Sequence, residues 1–109
     1  MTEFPRSITV AELAASLAGD DKPVLVDVRE PWELEIVSIP GALSIPLQQL
    51  PARVAELPAK GPVVVFCHHG SRSAQAVAWL RRGGNDRAIN LEGGIDSWAR
   101  EVDRTLETY

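Results

Sequence analysis

The chain has 109 residues, a net charge of −4 and an ordinary hydrophobic fraction of 45%. That length suits one domain, which buries roughly two thirds of the surface its unfolded form exposes. The absence of any lysine- or arginine-rich run excludes a dedicated nucleic-acid surface, and the single cysteine excludes an intramolecular disulfide and the usual thiolate zinc sites.

A lone cysteine fits a reducing compartment. The stretch Met1–Ser7 carries Glu3, Pro5 and Arg6 and no apolar run, so it does not read as a signal peptide. No stretch is long and apolar enough to span a membrane. The expectation is a cytoplasmic protein with no membrane or nucleic-acid partner. No coiled coil or large apolar patch indicates an oligomeric state.

Taken in chain order, Thr9 and Glu12 have capping-box spacing and predict a helix to about Ala18, ended by Gly19-Asp20-Asp21. Pro23-Val24-Leu25-Val26-Asp27 is a short β-branched run of the kind buried on both faces in a parallel sheet. Pro31 to Val37 predicts a short helix, with proline in its first turn. Ala42-Leu43-Ser44-Ile45 is a weaker strand, and Leu50 to Leu57 a further helix. Pro58 to Pro62 is a loop within the domain. Val63-Val64-Val65-Phe66 is the second buried strand. The strongest helix spans Ser73 to Arg82 and stops at Gly83-Gly84. Ala88-Ile89-Asn90-Leu91 is a weaker strand, and Ile95 to Val102 a helix after Gly93-Gly94. The tail after Asp103 is expected to be loosely held. Alternating strands and helices predict an α/β domain over residues 1–109, with a parallel sheet covered on both faces.

The chemistry concentrates in Cys67-His68-His69-Gly70-Ser71-Arg72-Ser73. Cys67 follows a buried strand, and a helix is predicted to start near Ser73. Ligands bind at such strand ends in open α/β sheets. The helix N-terminus, inward N–H groups of a loop loosened by Gly70, and the Arg72 guanidinium all favour thiolate over thiol. Cysteines in such settings have pKa values of about 3.5–7.5, against about 8.5 when free. Such a thiolate is a nucleophile, and its donors also bind an anionic substrate. The alternative is a small buried hydrophobe, which an arbitrary lone cysteine usually is.

Four segments in order and spacing resemble the rhodanese family: Leu25 to Pro31, Ile39-Pro40-Gly41-Ala42, Cys67 to Ser73, and Asn90 to Trp98. The likeness is to a stand-alone, single-domain member. It implies a five-stranded parallel sheet with helices on both faces. It also implies a sulfurtransferase in which the Cys67 thiolate takes the outer sulfur of thiosulfate or a similar donor as a persulfide. The sulfur then passes to cyanide or a thiol acceptor, without a metal or organic cofactor. Cys67 to Arg72 spans six residues, the length typical of sulfur-transferring members; the related dual-specificity phosphatases carry one residue more. Many members have histidine before Ile-Pro-Gly-Ala, where this chain has Ser38.

The remaining candidates each have a plainer reading. Arg72 is expected to bind anions, or to be a solvated charge on a helix. Ser71 and Ser73 either donate to substrate or cap the helix. His68 and His69 are expected to diverge, with no neighbouring carboxylate to complete a metal set, and to contribute mainly backbone N–H groups. Asp27 and Arg29 form a strand-end pair that orients the loop or merely closes the strand. Glu30 complements a helix N-terminus. Trp32, Trp79 and Trp98 read as core or partly buried packing residues. Two other functions fit parts of this pattern: a non-catalytic rhodanese-like binding or regulatory module, and a phosphatase or arsenate reductase. The intact Cys67 and Arg72 argue against the first, and loop length against the second.

Overall fold

The computed structural model describes residues 4–109, so the Met1–Ser7 stretch read above falls partly outside them. Thr9 caps the first helix as its spacing predicts. Its hydroxyl accepts the Glu12 N–H at 3.1 Å, and Glu12 accepts the Thr9 N–H at 2.9 Å. The helix, α1, runs Val10–Leu17.

Five parallel strands form one sheet: β1 (Ser7–Ile8), β2 (Val24–Asp27), β3 (Leu43–Ser44), β4 (Val63–Phe66) and β5 (Ala88–Leu91). Their order is β1-β5-β4-β2-β3. The two runs read as buried strands, β2 and β4, are central neighbours. Only β1 has no counterpart in the residue pattern, because two residues are too few to show a period.

Alternation along the strands divides the core in two. Leu25, Val64, Phe66, Ile89 and Leu91 face one side, with Val10 and Leu13 of α1. Ile95 and Trp98 join them from α5, which runs Gly94–Glu101. Val26, Val63, Val65 and Ala88 face the other side with Ala76, Val77 and Leu80 of α4, which runs Ser71–Arg82. Cys67 continues the alternation of Val63 and Val65, so its side chain points to the α4 face. Helices therefore cover both faces, as the alternating pattern requires.

Two helix expectations change. Leu50 to Leu57 is not one helix: α3 covers Leu50–Arg53, with 3₁₀ turns at Leu47–Gln49 and Val54–Glu56. Leu57 is already extended, as a residue before proline prefers. Helix α4 begins at Ser71, two residues before the predicted start. Gly70 precedes it at φ +113°, a left-handed turn open to glycine, and its carbonyl accepts the Ala74 N–H at 3.0 Å. Helix α2 runs Pro31–Ile36, with Val37 extended after it.

Among the three tryptophans, only Trp98 is a buried packing residue. Trp32 is 59% exposed and Trp79 is 40% exposed, because both lie on outward helix faces. The tail is not loose throughout: Leu106 and Tyr109 pack against the core cluster that contains Trp98. No helix among the described residues is long and apolar enough to cross a membrane.

The topology positions the site. The chain leaves β2 through α2 towards β3, and leaves β4 through α4 towards β5 on the opposite side. The crevice at that reversal lies between the C-terminal ends of β2 and β4. Register places Asp27 beside Phe66, and Val65 beside Asn90. Asp27, Cys67 and Asn90 thus share one sheet edge.

Candidate active site

Cys67 is 1% exposed at the base of the loop between β4 and α4. Its sulfur accepts the Gly70 N–H at 3.1 Å and the Ser73 N–H at 3.4 Å. The Ser73 hydroxyl lies 3.4 Å from the same sulfur. Burial pushes the thiol pKa up. The Ser73 hydroxyl and the N–H groups of Ser73, Gly70 and Arg72 outweigh it, and the net shift is downward.

Helix α5 holds the loop in this shape. The Ile95 N–H donates to the Cys67 carbonyl at 2.9 Å, and the Asp96 N–H to the His68 carbonyl at 3.1 Å. Two open N–H groups of a helix start are thereby satisfied, and two loop carbonyls are drawn away from the sulfur. Gly94 makes the approach possible. A Cβ there would overlap both carbonyl oxygens, and its φ is +58°.

Arg72 does not stand free beside the sulfur. Its guanidinium forms a two-pronged pair with Glu33, at 2.6 and 2.9 Å. Glu33 is 2% exposed, and the Arg72 guanidinium holds its carboxyl at about 2, well below the usual range. Residue pattern missed Glu33: on a short helix it resembles a solvated charge. Tyr109, from the tail, donates its phenol to Glu33 at 2.6 Å and accepts from Arg29 at 2.9 Å.

Asp27 and Arg29 form a wholly buried pair, with contacts of 2.8 to 3.2 Å. Arg29 also donates to the carbonyls of Val37 and Glu33. The pair therefore ties β2 to both ends of α2, and reaches the cysteine loop through Glu33 and Arg72 and through Tyr109, which stacks on His68.

His68 and His69 do not diverge as expected. The curled loop brings their ring centroids to 3.8 Å with a 35° tilt, and Tyr109 stacks on the other face of His68 at 3.8 Å. Asp96 supplies the neighbouring carboxylate that the sequence pattern does not bring to the pair, 3.8 Å from His69 Nε2. Ligand atoms of the three residues lie within 4.8 Å of one another. Burial, with His69 alongside, lowers the His68 pKa.

Ser71 is exposed on the first turn of α4 and lies off the sulfur. Ser38 is also exposed and makes no side-chain hydrogen bond to the loop among the described residues. A further residue belongs to the site. Asn90 accepts the Ser73 hydroxyl at 2.5 Å and donates to the Gly70 carbonyl at 3.3 Å. Its only sequence signal was its place in the Asn90–Trp98 segment.

The rhodanese-like domain family matches residues 9–101. This chain belongs to the rhodanese-like family. A sulfurtransferase of Allochromatium vinosum is 43% identical over 88 residues, covering 81% of this chain and 82% of that protein. The probable adenylyltransferase/sulfurtransferase MoeZ of Mycobacterium tuberculosis is 37% identical over 105 residues; the match spans 94% of this chain but only 27% of MoeZ. The human single-domain sulfurtransferase has a solved structure with a TM-score of 0.79 and 29% identity, covering 90% of this chain and 98% of that one. Sulfur transfer in general is thus the chemistry of this rhodanese-like domain.

Proposed function

We propose that Cys67 carries the transferred sulfur as a persulfide. The thiolate attacks the outer sulfur of a sulfane donor, thiosulfate in the simplest assay. A bond forms between Cys67 Sγ and that sulfur. The donor's S–S bond breaks, and its electron pair leaves with sulfite. An acceptor thiol, or cyanide, then attacks the persulfide and regenerates the Cys67 thiolate. No metal or organic cofactor takes part, and the single thiol suits the reducing cytoplasm.

The observation that carries this reading is the set of N–H donors around Cys67 Sγ, with the Ser73 hydroxyl beside them. They stabilise the attacking thiolate and, after transfer, the anionic persulfide. The N–H groups of His68, His69 and Ser71 make no hydrogen bond to protein among the described residues, and serve the incoming sulfur. Arg72 and Ser73 shape the loop, while Asp27 and Arg29 support it from beneath. The intact nucleophile and its donors favour catalysis over a purely binding role.

Intact-protein mass before and after thiosulfate tests this. The expected result is a gain of one sulfur atom, reversed by reductant and absent in Cys67→Ala. Sulfur loading that survives Cys67→Ala would overturn it.

A further inference from the structure

His68 and His69 leave the loop side by side, and α5 brings Asp96 to them. Backbone bonds join the two elements here: the Asp96 N–H donates to the His68 carbonyl at 3.1 Å. The Asp96 carboxylate faces the same loop residues, with Oδ2 3.8 Å from His69 Nε2. That separation is too long for a hydrogen bond. One ligand atom from each of His68, His69 and Asp96 lies within 4.8 Å of the other two. His68 Nε2 is buried and has no hydrogen-bond partner among the described residues. A buried nitrogen left unpaired carries a desolvation cost that a ligand relieves. Tyr109 stacks on the far face of His68 at 3.8 Å, with 3° between planes, and holds that ring in place. Cys67 stands outside this group, because its side chain points to the α4 face.

We propose that His68, His69 and Asp96 form a site for a divalent transition-metal ion of the zinc type, which staples the cysteine loop to α5. Two imidazoles and a carboxylate are ligands that zinc takes, with water in the fourth position. Zinc stands about 2.0–2.2 Å from such atoms, so two ligands on one tetrahedral ion are about 3.4 Å apart. The 3.8 Å between Asp96 and His69 closes to that by a small side-chain rotation. His69 is the ring that turns: it leans on His68 at a 35° tilt and is 63% exposed. One competitor is present, since Arg100 holds Asp96 at 3.0 Å from one turn further along α5. The ion binds by taking the carboxylate from that exposed pair. It takes no part in the sulfur step.

Competition with a chromophoric chelator measures zinc binding, in wild-type protein and in Cys67→Ala. Both are expected to bind one equivalent with the same affinity. No binding by the wild type would overturn the proposal. So would loss of binding in Cys67→Ala, which would place the ion on the thiolate. His69→Ala and Asp96→Asn are each expected to weaken binding by at least about tenfold. Arg100→Ala frees Asp96 from a surface pair worth little to folding, and should tighten binding about two- to fivefold. Zinc held by scattered surface carboxylates would ignore these changes. Wild-type affinity in His69→Ala or Asp96→Asn, or no tightening in Arg100→Ala, overturns the proposal. Thermal unfolding gives a second readout. Zinc should raise the Tm of Cys67→Ala, and raise it less when Asp96→Asn is added. An equal rise in both would mean that the ion sits elsewhere. Each readout is of binding or stability, so none depends on whether Cys67 carries sulfur.

Discussion

Ser73 gives its hydroxyl proton to Asn90 Oδ1 over 2.5 Å, while the same oxygen stands 3.4 Å from Cys67 Sγ. A hydroxyl has one proton to give. As long as Asn90 holds it, Ser73 meets the sulfur as an acceptor and suits the thiol. Turning it to the sulfur suits the thiolate. Asn90 therefore competes with Cys67 Sγ for the Ser73 hydroxyl proton.

The competition has a sign. Ser73→Ala removes the hydroxyl that can turn to the thiolate and is expected to raise the midpoint of Cys67 alkylation. Asn90→Ala frees the Ser73 proton and lowers that midpoint. In a Ser73→Ala background, Asn90→Ala should leave it unmoved. Rates of iodoacetamide reaction between pH 5 and 10 give all four values. An equal Asn90→Ala effect in both backgrounds would show that Asn90 only braces the loop.

Glu33 links folding to acid. Its folded pKa, about 2, is depressed by Arg72 from the ordinary value of 4.5. A depressed carboxyl contributes stability above its unfolded pKa and loses it as pH falls towards the folded value. The loss is therefore expected between about pH 4.5 and 2, and amounts to at most about 3 kcal/mol. Urea unfolding at pH 6 and pH 3 measures it. Glu33→Gln should flatten that limb; an unchanged slope would mean that other carboxylates govern acid unfolding.

The sheet and the cysteine loop were legible because their signals are local. Val63 to Phe66 is a continuous apolar run, and Cys67 to Ser73 has its chemistry in adjacent residues. The pairings that set the site's charge were not legible. Glu33 and Arg72 are 39 positions apart, and Tyr109 lies 76 from Glu33. Nothing in either neighbourhood marks the partner. Arg72 reads as a free cation from its own loop, and only the return of α2 beneath the crevice neutralises it. His68 and His69 misled for a similar reason. Adjacent side chains alternate in a strand, but the loop curls tightly enough to bring the rings together.

Gly94 reports how closely α5 clamps the loop. Alanine there would place a Cβ on the carbonyl oxygens of Cys67 and His68, and would hold φ at +58°. Strain and overlap together are expected to cost about 2–4 kcal/mol. Thermal unfolding checks this. The same variant should alkylate at a higher midpoint, since the loop must open and its N–H groups leave the sulfur. A variant with wild-type Tm would show that the clamp yields easily.

Tyr109 separates two contributions of the tail. Its phenol bridges Glu33 and Arg29, while its ring stacks on His68 at 3.8 Å with a 3° angle between planes. Tyr109→Phe keeps the ring and removes the bridge. Hydrogen bonds to charged groups contribute about 1.5–3 kcal/mol, so unfolding free energy should fall by about that much. The loop's donors remain in place, and the rate of sulfur loading should change less than twofold. Tyr109→Ala also strips the stacked face of His68, and should lose further stability and make His68 easier to protonate. NMR titration of the His68 ring follows that second effect, because burial is the main cause of its lowered pKa. If Tyr109→Ala leaves the His68 titration where it was, the ring does not shield it. The tail would then act through the phenol bridge alone.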